Sequence, residues 1–308
     1  MYKIGVDLGG TNIGCGLVDE IGQFMYKDHV KTPRAAEPKV VIEEITKICK
    51  KAIAENNLTN QDIRYIGIGI PGIVDDETGI VKYAPNLKFK NVDLRKIFSE
   101  LLDIPVYLEN DANAAALGES LLEHVEEYKS IVFVALGTGV GVGVVINNQL
   151  VTGNIEAGHM TIDPNGPTCS CGNRGCFESF CSATALINFA KEAVANDQTS
   201  KILDIVQGDI NKIEAKTIFD AYYIGDDSAT NIVNQYIKHL AIGVNNLINA
   251  YPVKAVIVGG GVSGQGDKLL SPLITELEKM ALGGSLSAKI FTARLGNDAG
   301  IIGAAHLK

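Results

Sequence analysis

Two stretches of this chain are built alike. Ile4-Gly5-Val6-Asp7-Leu8-Gly9 recurs 128 residues later as Val132-Phe133-Val134-Ala135-Leu136-Gly137. Each is a short apolar run that stops at a glycine turn and passes into a second apolar run, Ile13–Val18 in the first copy and Val140–Ile146 in the second. Strand, glycine turn, strand is a hairpin pattern, and a duplicated one predicts two similar α/β lobes with a cleft between them. In the first copy the turn Asp19-Glu20-Ile21-Gly22 leads into a third strand ending near Val30. Helical spacing follows over Val40–Ala54, with Val41, Ile45, Ile48 and Ala52 on one stripe. Tyr65–Ile70 and Val106–Glu109 read as strands, and Asp111–Leu122 as a helix capped by Asn110 or Asp111. Towards the C-terminus, Ile232, Val233, Tyr236, Ile237, Leu240, Val244, Leu247 and Ile248 form one apolar stripe on a long helix. Strands at Ala255–Val258 and Lys289–Thr292 come next, then a last helix capped by Asp298 and ending near Ala305.

The glycine turns offer anion-binding chemistry. In Asp7-Leu8-Gly9-Gly10-Thr11-Asn12 the glycines let backbone N–H groups approach an anion, and Thr11 and Asn12 add side-chain donors. Asp7, at the strand end, is placed to face a hydrated Mg²⁺ or a transferring phosphoryl group. Gly137-Thr138-Gly139 repeats the donor set, whereas a single such turn would read as a plain hairpin. Two other nucleotide patterns compete. Gly259-Gly260-Gly261 and Gly264 follow a strand with dinucleotide-fold spacing, yet no strand with an acidic end follows about 20 residues on. The Walker pattern fails because the chain contains no Gly-Lys dipeptide. A nucleotide is therefore expected on the hairpin turns, with Gly259, Gly260 and Gly261 as a shelf for its adenosine end.

A third cluster is metal-like. His159 precedes Cys169, Cys171 and Cys176, three cysteines within eight residues. Thiolate and imidazole are the ligands of closed tetrahedral zinc sites, and the surrounding Pro164, Gly166, Pro167, Gly172 and Gly175 supply tight turns. The alternatives are unrelated free thiols or a disulfide pair, which a 308-residue chain with six cysteines does not suggest. Cys15, Cys49 and Cys181 sit on apolar patterns and read as buried small hydrophobes. Two carboxylates, Glu156 and Glu178, frame the cluster without being needed to fill a metal's shell.

Leu108-Glu109-Asn110-Asp111-Ala112-Asn113 puts a polar trio between a strand and a helix start. One reading is helix capping. The other is that Asp111 accepts a proton from a substrate hydroxyl that Asn110 orients. Phosphoryl transfer needs positioning, charge neutralisation and one carboxylate aimed at the nucleophile, and both roles fit one helix N-terminus.

Composition bounds the partners. Thirty-six acidic against 27 basic residues give a net charge of −9, with no basic arm for nucleic acid. No apolar run has the ~18 residues of a membrane span, and the first strand starts too near Met1 for a targeting peptide, so a cytoplasmic protein is expected.

Together, Asp7–Asn12, Asn110-Asp111, Glu156-x-Gly158-His159 and Cys169-x-Cys171-Gly172-x-x-Gly175-Cys176-x-Glu178 resemble the signatures of the repressor/open-reading-frame/kinase (ROK) family of sugar kinases, most of all its bacterial glucokinases. The resemblance implies an α/β, actin/hexokinase-like (ribonuclease H-like) two-lobed fold. Residues 1–115 plus 296–308 would form the smaller N-terminal lobe. Residues 116–295 would form the larger lobe, with a zinc loop at 159–178. Asp111 would be the catalytic base. Asn110, Asp111, Glu156, His159 and Glu178 would contact the hexose. Gly9, Gly10, Thr11, Asn12, Gly137, Thr138 and Gly139 would meet phosphate. His159, Cys169, Cys171 and Cys176 would bind structural Zn²⁺, His159 using its other ring nitrogen for a sugar hydroxyl.

Mg²⁺ would accompany ATP, and a homodimer or homotetramer would follow the family's habit. The implied activity is transfer of the γ-phosphoryl group of ATP to the 6-hydroxyl of glucose. Other sugars such as N-acetylmannosamine, fructose or allose are the nearest alternative. A non-catalytic sugar-sensing regulator is a further one, and a dehydrogenase on the Gly259 turn a third. The family's repressors carry an additional N-terminal helix-turn-helix, for which this sequence offers no residues, and the intact Asp7 and Asp111 favour the enzyme.

Overall fold

The computed structural model describes residues 1–33, 36–153 and 155–308. In chain order the first strands are β1 (Tyr2–Leu8), β2 (Asn12–Val18), β3 (Phe24–Lys31) and β4 (Ile63–Ile70). A small antiparallel sheet of β5 (Ile73–Asp75), β6 (Ile80–Ala84) and β7 (Phe89–Asp93) follows, and then β8 (Val106–Asn110). The second half carries β9 (Ile131–Leu136), β10 (Val140–Ile146), β11 (Gln149–Leu150), β12 (Ala255–Gly259) and β13 (Lys289–Thr292).

Two five-stranded sheets share one topology. The first runs β3-β2-β1-β4-β8 and the second β11-β10-β9-β12-β13. In each, a hairpin supplies antiparallel strands on one side and two parallel strands extend the other. The duplicated hairpin of the sequence is therefore duplicated in the fold. By contacts the chain divides into two compact units, one of Met1–Lys129, Gly143–Ile155 and Arg294–Lys308, the other of Ser130–Val142 and Glu156–Ala293.

In the first unit, β4 reads as an aliphatic run because both faces of a parallel strand are covered. Ile66, Ile68 and Ile70 are fully buried. Helix Pro38–Glu55 lays Val41, Ile45, Ile48 and Ala52 into this core, the stripe predicted from spacing. The other side is closed by helices Asp111–Ser120 and Asp298–Ala304, and the Tyr65 hydroxyl donates to the Ala305 carbonyl at 2.7 Å.

Register places the chemistry. Asp7 pairs with Gly69, Gly69 with Glu109 and Ile70 with Asn110. Asp7 and the Asn110-Asp111 step thus lie together at the carboxyl ends of three parallel strands, where open α/β sheets hold ligands.

In the second unit, helix Asp227–Ala250 buries Ile232, Val233, Tyr236, Ile237, Leu240, Val244, Leu247 and Ile248, matching the expected stripe. Ala135 pairs with Gly259, so Leu136-Gly137 and Gly259-Gly260 leave adjacent parallel strands side by side. Cys15, Cys49 and Cys181 are fully buried.

Three local expectations are corrected or resolved. Asn110, not Asp111, caps the helix, its side chain accepting from the N–H groups of Ala112 and Asn113. That helix ends at Ser120, two residues short of Leu122, whose backbone is already extended as the start of the next short helix. Asp298 is not the cap of the last helix but its first residue, since Asn297 before it holds the cap position, and its carboxylate pairs with Lys27 Nζ at 2.9 Å on strand β3.

Candidate active site

Asp7 sits in β1 with its carboxylate against the backbone of Gly300, where an added Cβ would lie 3.0 Å from Cγ. A side chain there would press on the carboxylate and shift it by a few tenths of an ångström, so glycine suits this close approach. Burial, and then the negative charge of Asp111, push the Asp7 carboxyl up to about 7. Burial also raises Asp111, while the Ala112 N–H, donating to its Oδ1 at 2.8 Å, works against that rise. Two desolvated carboxyls with raised proton affinity, one of them raised further by the other's charge, mark a candidate functional site.

Asn110 is held twice. Its Oδ1 accepts from Ala112 N at 2.9 Å and Asn113 N at 3.2 Å, and its Nδ2 donates to the Gly72 carbonyl at 3.0 Å. An amide has two N–H donors, which leaves one for a ligand hydroxyl. Beneath it lies a network that sequence reasoning did not assign. Buried Glu109 accepts from Asn110 N at 2.9 Å and from Asn113 Nδ2 at 3.0 Å. Glu109 lies at the end of a strand and Asn113 in the first turn of the helix, so helical spacing gave no signal for the pair. Glu119, with no exposed surface, was missed outright. It accepts the N–H groups of Arg294 and Leu295 at 2.8–3.1 Å and ties down the segment that leads into the last helix.

The first glycine turn is closed by Gly9 N–H donating to Asn12 O at 2.9 Å. The Thr32 hydroxyl donates to Gly9 O at 2.6 Å, the Thr32 N–H donates to Thr11 O at 2.9 Å, and Lys31 Nζ reaches Asn12 Oδ1 at 3.0 Å. In the second unit, Gly137 N–H donates to Gly139 O at 3.0 Å. Ala183 N–H donates to Gly137 O, and the Thr184 hydroxyl to Thr138 O, each at 2.8 Å. Gly259 ends β12, and Gly260 takes a left-handed φ of 81° packed on the Leu136 backbone.

The metal-like residues converge. One ligand atom from each of His159, Cys169, Cys171 and Cys176 falls within 4.8 Å of every other. Tetrahedral bonds of ~2.3 Å to sulfur and ~2.0 Å to nitrogen imply ligand separations of about 3.5–3.8 Å. Cys171 Sγ and Cys176 Sγ are 3.6 Å apart, and Cys169 Sγ is 3.5 Å from His159 Nδ1. The residues fit zinc in number, type and spacing. Nδ1 is the ring nitrogen turned to the thiols, which leaves Nε2 for another partner. Loop closure depends on Gly175, at φ +67°, since a Cβ there would collide with the Asp163 carbonyl. Burial, then the neighbouring thiols, push the Cys176 thiol up to about 12.

Glu178, two residues beyond Cys176, links the loop to the second turn. Its Oε1 accepts from Ser170 Oγ at 2.9 Å, and its Oε2 from Val140 N–H at 3.2 Å. Glu156 is exposed, and its carbonyl accepts the His159 N–H at 2.9 Å. The candidate residues therefore assemble as Asp7, the Gly9 turn and Asn110-Asp111 in the first unit. In the second unit the Gly137 and Gly259 turns lie together, and the metal loop reaches the Gly137 turn through Glu178.

The chain belongs to the ROK family, whose model matches residues 3–308. A glucokinase from Thermotoga maritima is 36% identical over 99% of this chain and 96% of its own. The crystal structure of a ROK family glucokinase from Streptomyces griseus in complex with glucose and AMPPNP is 33% identical. It covers 100% of this chain and 99% of that one at a TM-score of 0.82. A putative xylose repressor from Caldicellulosiruptor sp. is 33% identical over 88% of this chain and 68% of its own length. With the two sheets of shared topology, these likenesses establish the actin/hexokinase-like fold class. Among the described residues no helix is long and apolar enough to cross a membrane.

Proposed function

We propose that this chain is an ATP-dependent glucokinase that moves the γ-phosphoryl group of ATP to the 6-hydroxyl of glucose. The observation that carries the reading is end-to-end similarity to glucokinases at 33–36% identity, including one solved with glucose and an ATP analogue. In the reaction the 6-hydroxyl oxygen bonds to the γ-phosphorus as the bond to the β–γ bridging oxygen breaks, and ADP leaves. Asp111 takes the hydroxyl proton. Its raised affinity for that proton suits a general base, and its neighbour Asp7 is the carboxylate that would face the magnesium accompanying ATP. Asn110, Glu156, His159 and Glu178 hold the sugar, the Gly9 and Gly137 turns hold phosphate oxygens, and the Gly259–Gly261 turn supports the adenosine end.

His159, Cys169, Cys171 and Cys176 hold a structural zinc ion. With these four side chains as its ligands, zinc would supply a structural brace for the loop rather than a substrate position, and the loop would carry His159 Nε2 and Glu178. A homo-oligomer is the expected assembly. Similarity to a xylose repressor supports a second reading, a sugar-responsive regulator without turnover. Asp111→Ala separates the two. An enzyme loses about 10²-fold or more in kcat while sugar affinity changes little. A protein with no kinase turnover before or after the substitution is the regulator.

A further inference from the structure

An anion-binding turn has to present N–H groups and keep its carbonyl oxygens away, because a carbonyl beside a phosphate repels it. Both glycine turns have two carbonyls held by one hydroxyl and one N–H, though the repeat does not match the carbonyls one to one. Around the first, one residue supplies both, the Thr32 hydroxyl to Gly9 O at 2.6 Å and the Thr32 N–H to Thr11 O at 2.9 Å. Around the second, Thr184 gives its hydroxyl to Thr138 O and Ala183 its N–H to Gly137 O, both at 2.8 Å.

The supporting elements are not related by the internal repeat. Thr32 follows the eight-residue strand β3 and continues its pairing with β2. The topological counterpart of β3 is β11, which has only two residues, Gln149 and Leu150. The second turn is instead held from helix Ala183–Asn196, at its first two residues. The internal repeat accounts for the glycine turns but not for the two threonines. The same donor set reached from unrelated elements points to a shared requirement of the turns themselves.

We propose that Thr32 and Thr184 are matched positioning residues for nucleotide binding, each holding a turn's carbonyls back so that its N–H groups face phosphate. The proposal rests on the reading of these turns as the phosphate site. Thr184 is exposed and Thr32 is 5% exposed, so the two differ in what their loss does. Removing the Thr184 hydroxyl frees an oxygen that water can satisfy. Removing the hydroxyl of the buried Thr32 leaves the part-buried Gly9 O without that partner, where water has less access, which costs more.

The test is equilibrium binding of AMPPNP with Mg²⁺ to the zinc-loaded protein, alongside steady-state kinetics, for Thr184→Val, Thr184→Ser, Thr32→Val and Thr32→Ser. The valine variants keep the shape and delete the hydroxyl. Thr184→Val is expected to weaken AMPPNP about two- to tenfold, Thr32→Val by at least as much, and both serine variants to recover most of the loss. The KM for glucose should stay within about twofold, a split that general destabilisation would not produce. Thr138→Ala is the control for the underlying reading. If it weakens AMPPNP while Thr184→Val does not, the positioning role of Thr184 is wrong and the phosphate site stands. If neither alters AMPPNP affinity, the turn is not the phosphate site. Equal losses of glucose and nucleotide affinity in the valine variants would likewise overturn the proposal, since they would mark a structural role only.

Discussion

Replacing Asp7 by asparagine should make the nucleotide-free protein more stable and the enzyme worse, with a pH dependence that can be worked out in advance. The Asp7 carboxyl rises from 3.8 to about 7 on folding, through burial and then the charge of Asp111. The folded state therefore binds a proton more tightly than the unfolded chain, and stability falls as pH rises from about 4 to about 7. A shift of roughly 3 units at 1.36 kcal/mol each gives a penalty of about 4 kcal/mol, fully present above pH 7 and absent below about pH 4. Asp7 keeps part of its surface in solvent, which reduces this to about 2–4 kcal/mol.

Asparagine carries no charge to desolvate, so Asp7→Asn recovers that amount at pH 8 and nothing at pH 4. At about 2–4 °C per kcal/mol, melting should rise by roughly 4–16 °C at pH 8. Turnover should fall at the same time, the exchange of stability for function expected where an active site holds a strained charge. Differential scanning calorimetry at both pH values without Mg²⁺ or nucleotide, paired with kcat, makes the comparison. An unchanged or lowered melting temperature at pH 8, or the same rise at both pH values, would refute the reasoning.

Two further outcomes follow from the same contacts. Purified protein should contain about one zinc per chain by metal analysis. Chelation, or Cys176→Ser, should lower the melting temperature and raise the KM for glucose, because the loop that carries His159 and Glu178 loses its brace; zinc-free protein of full stability would remove the metal from the account. Glu119→Ala should cost about 1–3 kcal/mol in urea unfolding, since it empties a fully buried site and takes the acceptor from the part-buried Arg294 and Leu295 N–H groups. A change below about 0.5 kcal/mol would show that those groups find water instead.

The parts of this molecule that were legible in sequence are those written in local patterns. The hairpin repeat, the helix stripes at Val41–Ala52 and Ile232–Ile248 and the His159–Cys176 cluster each carry their own spacing, and the structure holds all of them. What stayed hidden depends on partners far away in the chain. Glu119 looks like an ordinary helix-end acid until Arg294 and Leu295 arrive from 175 residues on. Thr184 reads as a routine first-turn residue, and only the fold brings Thr138 O beneath it. Asp298 shows the reverse failure. Its position suggested a cap, but the helix already starts there, one residue after Asn297, and the carboxylate turns to Lys27 on β3. The choice between Asn110 and Asp111 as cap was open in sequence because both side chains can do it, and geometry assigns it to Asn110.

The central claim, phosphorylation of glucose at its 6-hydroxyl by Asp111-assisted transfer from ATP, is tested most directly by kcat/KM across a sugar panel with ATP and Mg²⁺. The panel would contain glucose, N-acetylmannosamine, fructose, allose and 6-deoxyglucose. Glucose is predicted to have the highest value, with glucose 6-phosphate and ADP formed one to one and 6-deoxyglucose inert. A rival sugar preferred over glucose by more than about tenfold, or phosphorylation of 6-deoxyglucose, would contradict it.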